Sequence, residues 1–484
     1  MAKQRMSTFE RLKKGRLNRA ERRELGRRVV AGDPGLAIVH GNAGGIDVGN
    51  ESHFVAVPPD RNENPVREFG CWTQALNEMA GWLTSCRVDT VAVQATGVYW
   101  IALYDVLEQH GIRVVLVNAQ HTKNVPGRKT DVQECQWLMK LHTYGLLRDS
   151  FRLQQDMEYV RTIWRLRDRH VKDAGRAVQH MQKALTKMNV QLANVISDIS
   201  GRSGQAIISA ILRGERDPYE LAALVDYRVK ASREEVARSL EGNWRTDVLF
   251  ELQQAVEACH FAHGQMQECD EKLKSYLADL PTRTLEIPAA SEAAVESVVQ
   301  KRKKARKPRD NEPRMDLKAE LKRICGVDLT SIDGVNVMTA FTVISEVGTD
   351  LSRFADEDHF ASWMGLAPSK DISGGKVVGS GKKKVKNRVA VVLRTAVTSL
   401  LESDTYLGAR YRHLRRQLPT FKAAVKAMAR HLAVLIHRLL THGQAWRDRG
   451  SAQFEQKRTE RELAHLHSRA KAKGFVLVPI TETC

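Results

Sequence analysis

Gly45-Ile-Asp47-Val-Gly49, then Ser52-His-Phe-Val-Ala-Val57, then Val66-Arg-Glu-Phe-Gly-Cys71 set three short apolar runs in succession, separated by Gly, Asn, Pro and Asp. Runs of this length with turn residues between them read as consecutive strands of a meander. The pattern then alternates. Thr73 to Ser85 has helical spacing, and Thr90-Val-Ala-Val-Gln94-Ala-Thr-Gly97 is a strand that runs into a turn. Trp100 to Gln109 is helical, Val114-Val-Leu-Val117 is a fifth strand, and Asp131 to Leu141 opens a further helix.

The order βββαβαβα is that of the ribonuclease H-like fold. Chemistry on that fold needs acidic side chains on the first strand, at the end of the fourth and on the late helix, where they converge on Mg²⁺. Those places hold Asp47, Gln94 and the pair Asp131 and Glu134, whose i, i+3 spacing puts both carboxylates on one helical face. Gln94 is the weak member, because an amide can coordinate a hard cation but carries no charge. A bland reading stands beside this one: an Asp between glycines is often a turn former. The same turn also looks like the phosphate turn of actin-like sugar kinases, although no second Gly-rich phosphate loop follows at a suitable distance.

The chain of 484 residues is too long for one core and suggests about three units. Its 76 Lys and Arg against 57 Asp and Glu leave a net charge of +19, a field that attracts polyanions. Seven scattered cysteines without a Cys-x-x-Cys pair point neither to a disulfide framework nor to a zinc ribbon. No apolar run approaches the ~20 residues of a membrane span, and the N-terminus lacks the apolar core of a signal peptide. A soluble, intracellular protein with no membrane partner is expected.

Residues 1–43 form a basic N-terminal arm, and residues 44–150 the α/β catalytic domain. Residues 151–284 are a coiled-coil arm. There Val171, Ala174, Val178, Met181, Leu185, Met188, Leu192 and Val195 step by three and four. Leu252, Val256, Cys259, His263, Met266, Leu273, Leu277 and Leu280 make a second seam, which only Asp270 interrupts. The seams pair as an antiparallel hairpin or with another subunit, giving a homo-oligomer, dimer or tetramer. Cys259 and His263 belong to the seam, so a metal is not expected there. Residues 285–316 are a basic linker around Lys301-Arg-Lys-Lys-Ala-Arg-Lys-Pro-Arg309. Residues 317–443 form a mainly helical C-terminal domain, with helices expected at Arg388 to Leu401, Tyr411 to Leu418 and Phe421 to Leu440. Ile332-Asp-Gly-Val-Asn336 reads either as a helix-hairpin-helix phosphate turn or as an ordinary helix connection. Residues 444–484 are a polar tail.

Within the C-terminal domain, Leu366-Ala-Pro-Ser-Lys-Asp-Ile-Ser373-Gly-Gly-Lys376 and Ser380-Gly-Lys-Lys-Lys-Val-Lys-Asn-Arg388 place a hydroxyl in a cationic setting. Gly374 and Gly375 let the backbone approach a ligand, and Lys376, Lys382, Lys383, Lys384 and Arg388 supply the charge a phosphodiester requires. Ser373 is a candidate nucleophile; the bland reading is a solvated Gly/Ser/Lys loop.

Taken together, the chain resembles the DEDD-type transposases of bacterial insertion sequences, serine-dependent recombinases guided by an element-encoded bridge RNA. The resemblance runs from Gly44 to about Gly443. It is carried by Gly45-Ile-Asp47-Val-Gly49, Ala95-Thr-Gly-Val-Tyr-Trp100, Val117-Asn-Ala-Gln-His121, Val125-Pro-Gly-Arg-Lys-Thr-Asp131 and Phe360-Ala-Ser-Trp-Met-Gly-Leu-Ala-Pro368. Ser373-Gly-Gly-Lys376, Asn387-Arg388 and Leu393-Arg394 complete it. It implies a Holliday-junction-resolvase-like N-terminal domain, a coiled coil for assembly and a C-terminal transposase domain whose serine attacks DNA. Asp47, Asp131 and Ser373 match the family motif, whereas Gln94 stands where Glu is usual and Glu134 where Asp is usual. The implied catalytic set is Ser373, Asp47, Asp131, Glu134 and Gln94, with Mg²⁺ on Asp47, Asp131 and Glu134. Arg128 and Lys129 join the residues expected to bind nucleic acid. The partners implied are DNA and a guide RNA, and the serine of one chain can meet the acids of another. Two other functions stay open: a metal-dependent nuclease of the resolvase kind, and a non-catalytic nucleic-acid-binding protein whose acid site has decayed.

Overall fold

The structure is a computed structural model that describes residue 20 and residues 36–95, 97–118, 130–284, 311–368, 371–374, 376–379, 387–443 and 446–478. The chain divides into two compact units, residues 1–152 and 153–484. Most of the basic N-terminal arm and residues 285–310 of the linker lie outside the described residues.

In the first unit, β1 (Ala43–Val48), β2 (Ser52–Ala56), β3 (Val66–Gly70), α1 (Thr73–Ser85), β4 (Thr90–Gln94), α2 (Trp100–Gln109), β5 (Arg113–Val117) and α3 (Asp131–Thr143) follow one another. The sheet order is β3-β2-β1-β4-β5. β2 is antiparallel to β1 and β3, while β4 is parallel to β1 and β5. Short turns suffice for the antiparallel pairs, whereas the parallel ones need the crossovers that α1 and α2 supply. Successive strand side chains point to opposite faces. Ile46, Val48, Val91, Val93, Val114 and Leu116 pack with Leu76, Met79 and Leu83 of α1 and Leu103 and Leu107 of α2. On the other face, Ala92, Val115 and Val117 meet Leu138 of α3, and Ala56 meets Cys135 and Met139. Each buried aliphatic side chain contributes about 1.5–3 kcal/mol.

The second unit begins with α4 (Gln155–Lys187) and returns along α8 (Thr246–Asp279). Lys187 pairs with Glu251 at 2.6 Å, Arg167 with Asp270 at 2.5 Å, and Tyr159 stacks on Tyr276 at 4.1 Å. Rising numbers on one helix meet falling numbers on the other, so the hairpin is antiparallel. Ala174, Met181, Leu185 and Met188 are buried in one core with Leu252, Cys259 and Met266, so the two seams cover each other within one chain. Asp270, the interruption in the second seam, is a buried partner of Arg167. The connecting segment, expected only to turn the chain, holds α5 (Arg202–Leu212), α6 (Pro218–Ala223) and α7 (Arg233–Ser239). Ile207, Ile211, Leu221 and Val236 tie them to the same core. Helices as short as α6 and α7 span too few turns to display a period.

The rest of this unit comprises α9 (Leu317–Cys325), α10 (Val337–Val347), α11 (Glu357–Trp363), the hairpin β6 (Asp371–Ser373) and β7 (Lys376–Gly379), α12 (Arg388–Thr398), α13 (Tyr406–Gln417), α14 (Phe421–His442) and α15 (Gly450–Ala472). α10 is buried from Thr339 to Val347, and Trp164 of α4 donates to Thr342 Oγ1 at 3.1 Å. α13 starts earlier than the expected Tyr411, because the Thr405 side chain caps it by accepting from Gly408 N at 3.2 Å. The stretch beyond residue 443, expected to be only a polar tail, contains α15. Its one buried residue is Phe454, edge-on to Tyr406 at 5.3 Å. A single anchor leaves no apolar stripe to read in the sequence.

Candidate active site

In the first unit, β1 pairs with β4 from Ala43–Thr90 to Ile46–Val93, so Asp47 and Gln94 each follow the last paired residue, near the C-terminal ends of the two strands. By alternation Asp47 shares the face of Gly45, and Gln94 that of Ala92. Both faces look at α3, since Ala92 packs on Leu138 and a Cβ on Gly45 would lie 2.3 Å from Cys135 O and from Met139 N. Asp131 precedes Cys135 by one turn, and Glu134 precedes Leu138 by one turn, so both leave α3 on its sheet-facing side. Asp131 is exposed, while Glu134 and Asp47 are half-buried. Thr130 caps the helix by accepting from Gln133 N at 3.3 Å. The positive end of the helix dipole favours carboxylates in this first turn.

Cys135 senses the arrangement. Burial pushes its thiol up to about 12, and the charges of Asp47 and Asp131 act in the same direction. The thiol therefore stays protonated at neutral pH, donating to Val132 O at 3.1 Å. Sequence reading overlooked Cys135, whose only signal was its place one turn after Asp131.

Among the described residues, no three His, Cys, Asp or Glu side chains gather closely enough to hold a metal ion. Asp47, Asp131 and Glu134 thus do not close as an all-protein cage. Two carboxylates facing one region, with an amide at the neighbouring strand end, still fit Mg²⁺, which is usually bound through one or two carboxylates plus phosphate oxygens and water. Arg128 and Lys129 lie outside the described residues. Cys259 and His263 make a sulfur–nitrogen contact of 3.7 Å in the helical hairpin and belong to no metal cluster among the described residues.

In the second unit, Ser373 ends β6 and its backbone pairs with Lys376 across the turn. Gly374 has φ +57°, and a Cβ there would meet no atom within 4 Å, so backbone conformation rather than space calls for glycine. Gly374 and Lys376 are exposed. Gly375, Ser380, Lys382, Lys383 and Lys384 lie outside the described residues. Arg388 opens α12, where the Asn387 side chain caps by accepting from Ala390 N at 3.2 Å. Its guanidinium pairs with Asp168 at 2.7 Å and with Glu346 at 3.2 Å, and Glu346 also receives Arg165 at 2.8 and 2.6 Å. Burial raises the Asp168 carboxyl, but hydrogen bonds from Lys172 and Arg388 outweigh it and hold the pKa below the usual range. Arg388 therefore ties the start of α12 to α4 and α10, and a phosphate would compete there with two carboxylates.

In Ile332 to Asn336, Ile332 and Val335 are buried and Asn336 is exposed. Gly334 has φ +84°, and a Cβ on it would approach Leu400 at 3.1 Å and Ala396 O at 3.2 Å. Asn336 caps α10 by accepting from Thr339 N at 2.8 Å.

Residues 44–190 match the DEDD family model of the IS110 group, described as a transposase, and residues 328–412 match the model of the transposase IS116/IS110/IS902 family. Both matches support an IS110-type transposase. Such a transposase is a DNA recombinase of a mobile element. Its first matched segment holds Asp47, Gln94, Asp131 and Glu134, and its second holds Ser373 and Arg388. α15 lies beyond both segments. No curated protein matches the chain. Among its described residues, no helix is long and apolar enough to cross a membrane.

Proposed function

We propose that this transposase cuts and rejoins DNA through Ser373, aided by an acidic site on a ribonuclease H-like domain and guided by an element-encoded RNA within a homo-oligomer. The observation that carries the reading is the placement of Asp47 and Gln94 near the C-terminal ends of β1 and β4, facing the turn of α3 that bears Asp131 and Glu134. That is where a sheet of this order gathers acids around a scissile phosphate. The Ser373 hydroxyl attacks the phosphorus, the strand's ester oxygen leaves with the bonding pair and takes up a proton, and a phosphoserine ester remains. A second strand's hydroxyl reverses the step, so rejoining needs no ATP. Asp47 and Asp131, with the Gln94 amide oxygen, would hold Mg²⁺, whose chemistry is to offset negative charge on the phosphate and the leaving oxygen. Glu134 carries one more negative charge on the same helical face and would add to the site's attraction for a cation.

The test is cleavage of labelled element-end DNA by purified protein with guide RNA and Mg²⁺. Wild type should leave a denaturant-stable protein–DNA adduct, and Ser373→Ala should lose both adduct and cut while keeping nucleic-acid affinity. An adduct that persists in Ser373→Ala moves the nucleophile elsewhere, first to Ser380. Hydrolysed ends with no adduct in wild type would favour the second reading, a nuclease in which Ser373 only binds phosphate. The DEDD name of the first matched family lends that reading its support, because it points to the acids.

A further inference from the structure

Between α13 and α15 lies a cavity of about 610 Å³ whose walls include Tyr406, Arg410, His413, Phe454, Lys457 and Arg461. Its size suits a small polar ligand. Arg410 reaches it from α13 with a buried Nε that has no hydrogen-bond partner. Among the described residues, no carboxylate pairs with Arg410, Lys457 or Arg461. The acid in the wall, Glu462, is engaged by Arg458 at 3.3 Å, and Arg458 also holds Glu455 at 2.6 Å. Burial lowers the pKa of Arg410, and the charge of Arg461 acts in the same direction. His431 responds to the same field: burial, Arg410 and Arg438 bring its pKa down to about 3, so it adds no proton at neutral pH.

A guanidinium taken out of water without a counter-charge is costly, and an arginine always keeps its charge. Three cations without carboxylates among the described residues, one of them a half-buried arginine with a buried, unpartnered Nε, make a receptor for an anion supplied from outside. The aromatic wall is built on the buried Phe454, edge-on to Tyr406 at 5.3 Å and to His413 at 5.8 Å. Charge beside flat rings is the combination that holds a nucleic-acid strand, the cations taking phosphate and the rings taking sugar or base. We propose that the α13–α15 cavity binds a phosphodiester of a nucleic-acid strand, with Arg410 and Arg461 on the phosphate oxygens and Lys457 at the rim. Its lining includes neither the acids of the first unit nor residues of the Ser373 loop. Its test needs no cleavage, so it stands or falls independently of the cutting mechanism.

The full chain is tested in two ways. Thermal unfolding is followed with and without inorganic pyrophosphate in wild type, Arg410→Met and Arg461→Ala. Affinity for a DNA duplex and for a structured RNA is measured against salt in wild type, Arg461→Ala and Lys457→Ala. Pyrophosphate should raise the Tm of wild type and of neither variant. Arg410→Met should be at least as stable as wild type without ligand, because a half-buried charge without a carboxylate has been replaced by an apolar chain of similar length. Each exposed-helix substitution should lower the slope of log affinity on log salt by about one for the nucleic acid that occupies the cavity. The arm that responds, DNA or RNA, identifies the source of the phosphodiester. Unchanged slopes in both arms would overturn the proposal even if pyrophosphate binds. So would an Arg410→Met variant that is destabilised yet keeps its pyrophosphate response, since Arg410 would then be a structural group.

Discussion

Replacing Gly45 by alanine tests whether α3 lies where the acidic site needs it. The added methyl would sit 2.3 Å from Cys135 O, 2.3 Å from Met139 N and 2.9 Å from Met139 Cα, all backbone atoms of α3. No rotamer can relieve such a contact, so helix and strand must part by about 1 Å to reach van der Waals distance. Overpacking of this kind costs about 1–3 kcal/mol and occasionally more, and an all-backbone clash belongs at the upper end. A shift of that size moves Asp131 away from Asp47 and should lower cleavage by on the order of 10²-fold in the molecules that remain folded. Gly44→Ala is the control. Its methyl would meet the Val91 and Val88 side chains at 3.0 and 3.3 Å, on the face away from α3. It should cost about 1 kcal/mol and leave cleavage near normal. Hydrogen exchange of residues 43–57 in a urea series measures the stability, and strand cutting measures the site. If Gly45→Ala exchanges and cuts like wild type, α3 does not lie on β1, and the grouping of Asp131 with Asp47 is wrong.

Two further outcomes are expected. Asp270→Ala strands the buried Arg167 charge and should destabilise the helical hairpin by about 3–5 kcal/mol in urea unfolding, whereas Arg167→Met combined with Asp270→Leu should be close to neutral; a neutral single substitution would mean the pair is not buried. His142 is buried against Thr90 at 2.9 Å, and burial, His40 and Arg113 bring its pKa down to about 4 while Asp89 opposes them. Because the unfolded chain binds that proton near pH 6.5 and the folded one does not, stability of the first unit should fall as pH drops from about 6.5 to about 4, by up to about 1.4 kcal/mol per pH unit, and should not depend on this group above pH 6.5. Urea midpoints of wild type and His142→Gln across that range check it, and equal slopes would refute it.

The residues of the proposed acidic site were legible as far as local chemistry allows. Asp47, Asp131 and Glu134 stood out because carboxylates at a strand end and on one helical face are visible in spacing alone, and α1 and α2 fall on the segments their periodicity marks. The hairpin seams were legible for the same reason. Asp270 read as a flaw in its seam, because the arginine that neutralises it is on another helix, far away in the chain. The carboxylates that Arg388 meets, Asp168 and Glu346, were not legible, because they belong to helices far away in the chain.

Alternation and helical period, set by backbone geometry within a few residues, determined from the sequence alone that a mixed α/β unit precedes a helical one and which strand ends carry acids. Only the tertiary structure decided how close α3 comes to β1, through the missing side chain of Gly45, and which charges are cancelled or left over, as at Arg410. Those outcomes depend on groups brought within a few ångströms by chain segments far apart in sequence, and electrostatic and packing energies at that range follow distance rather than order along the chain.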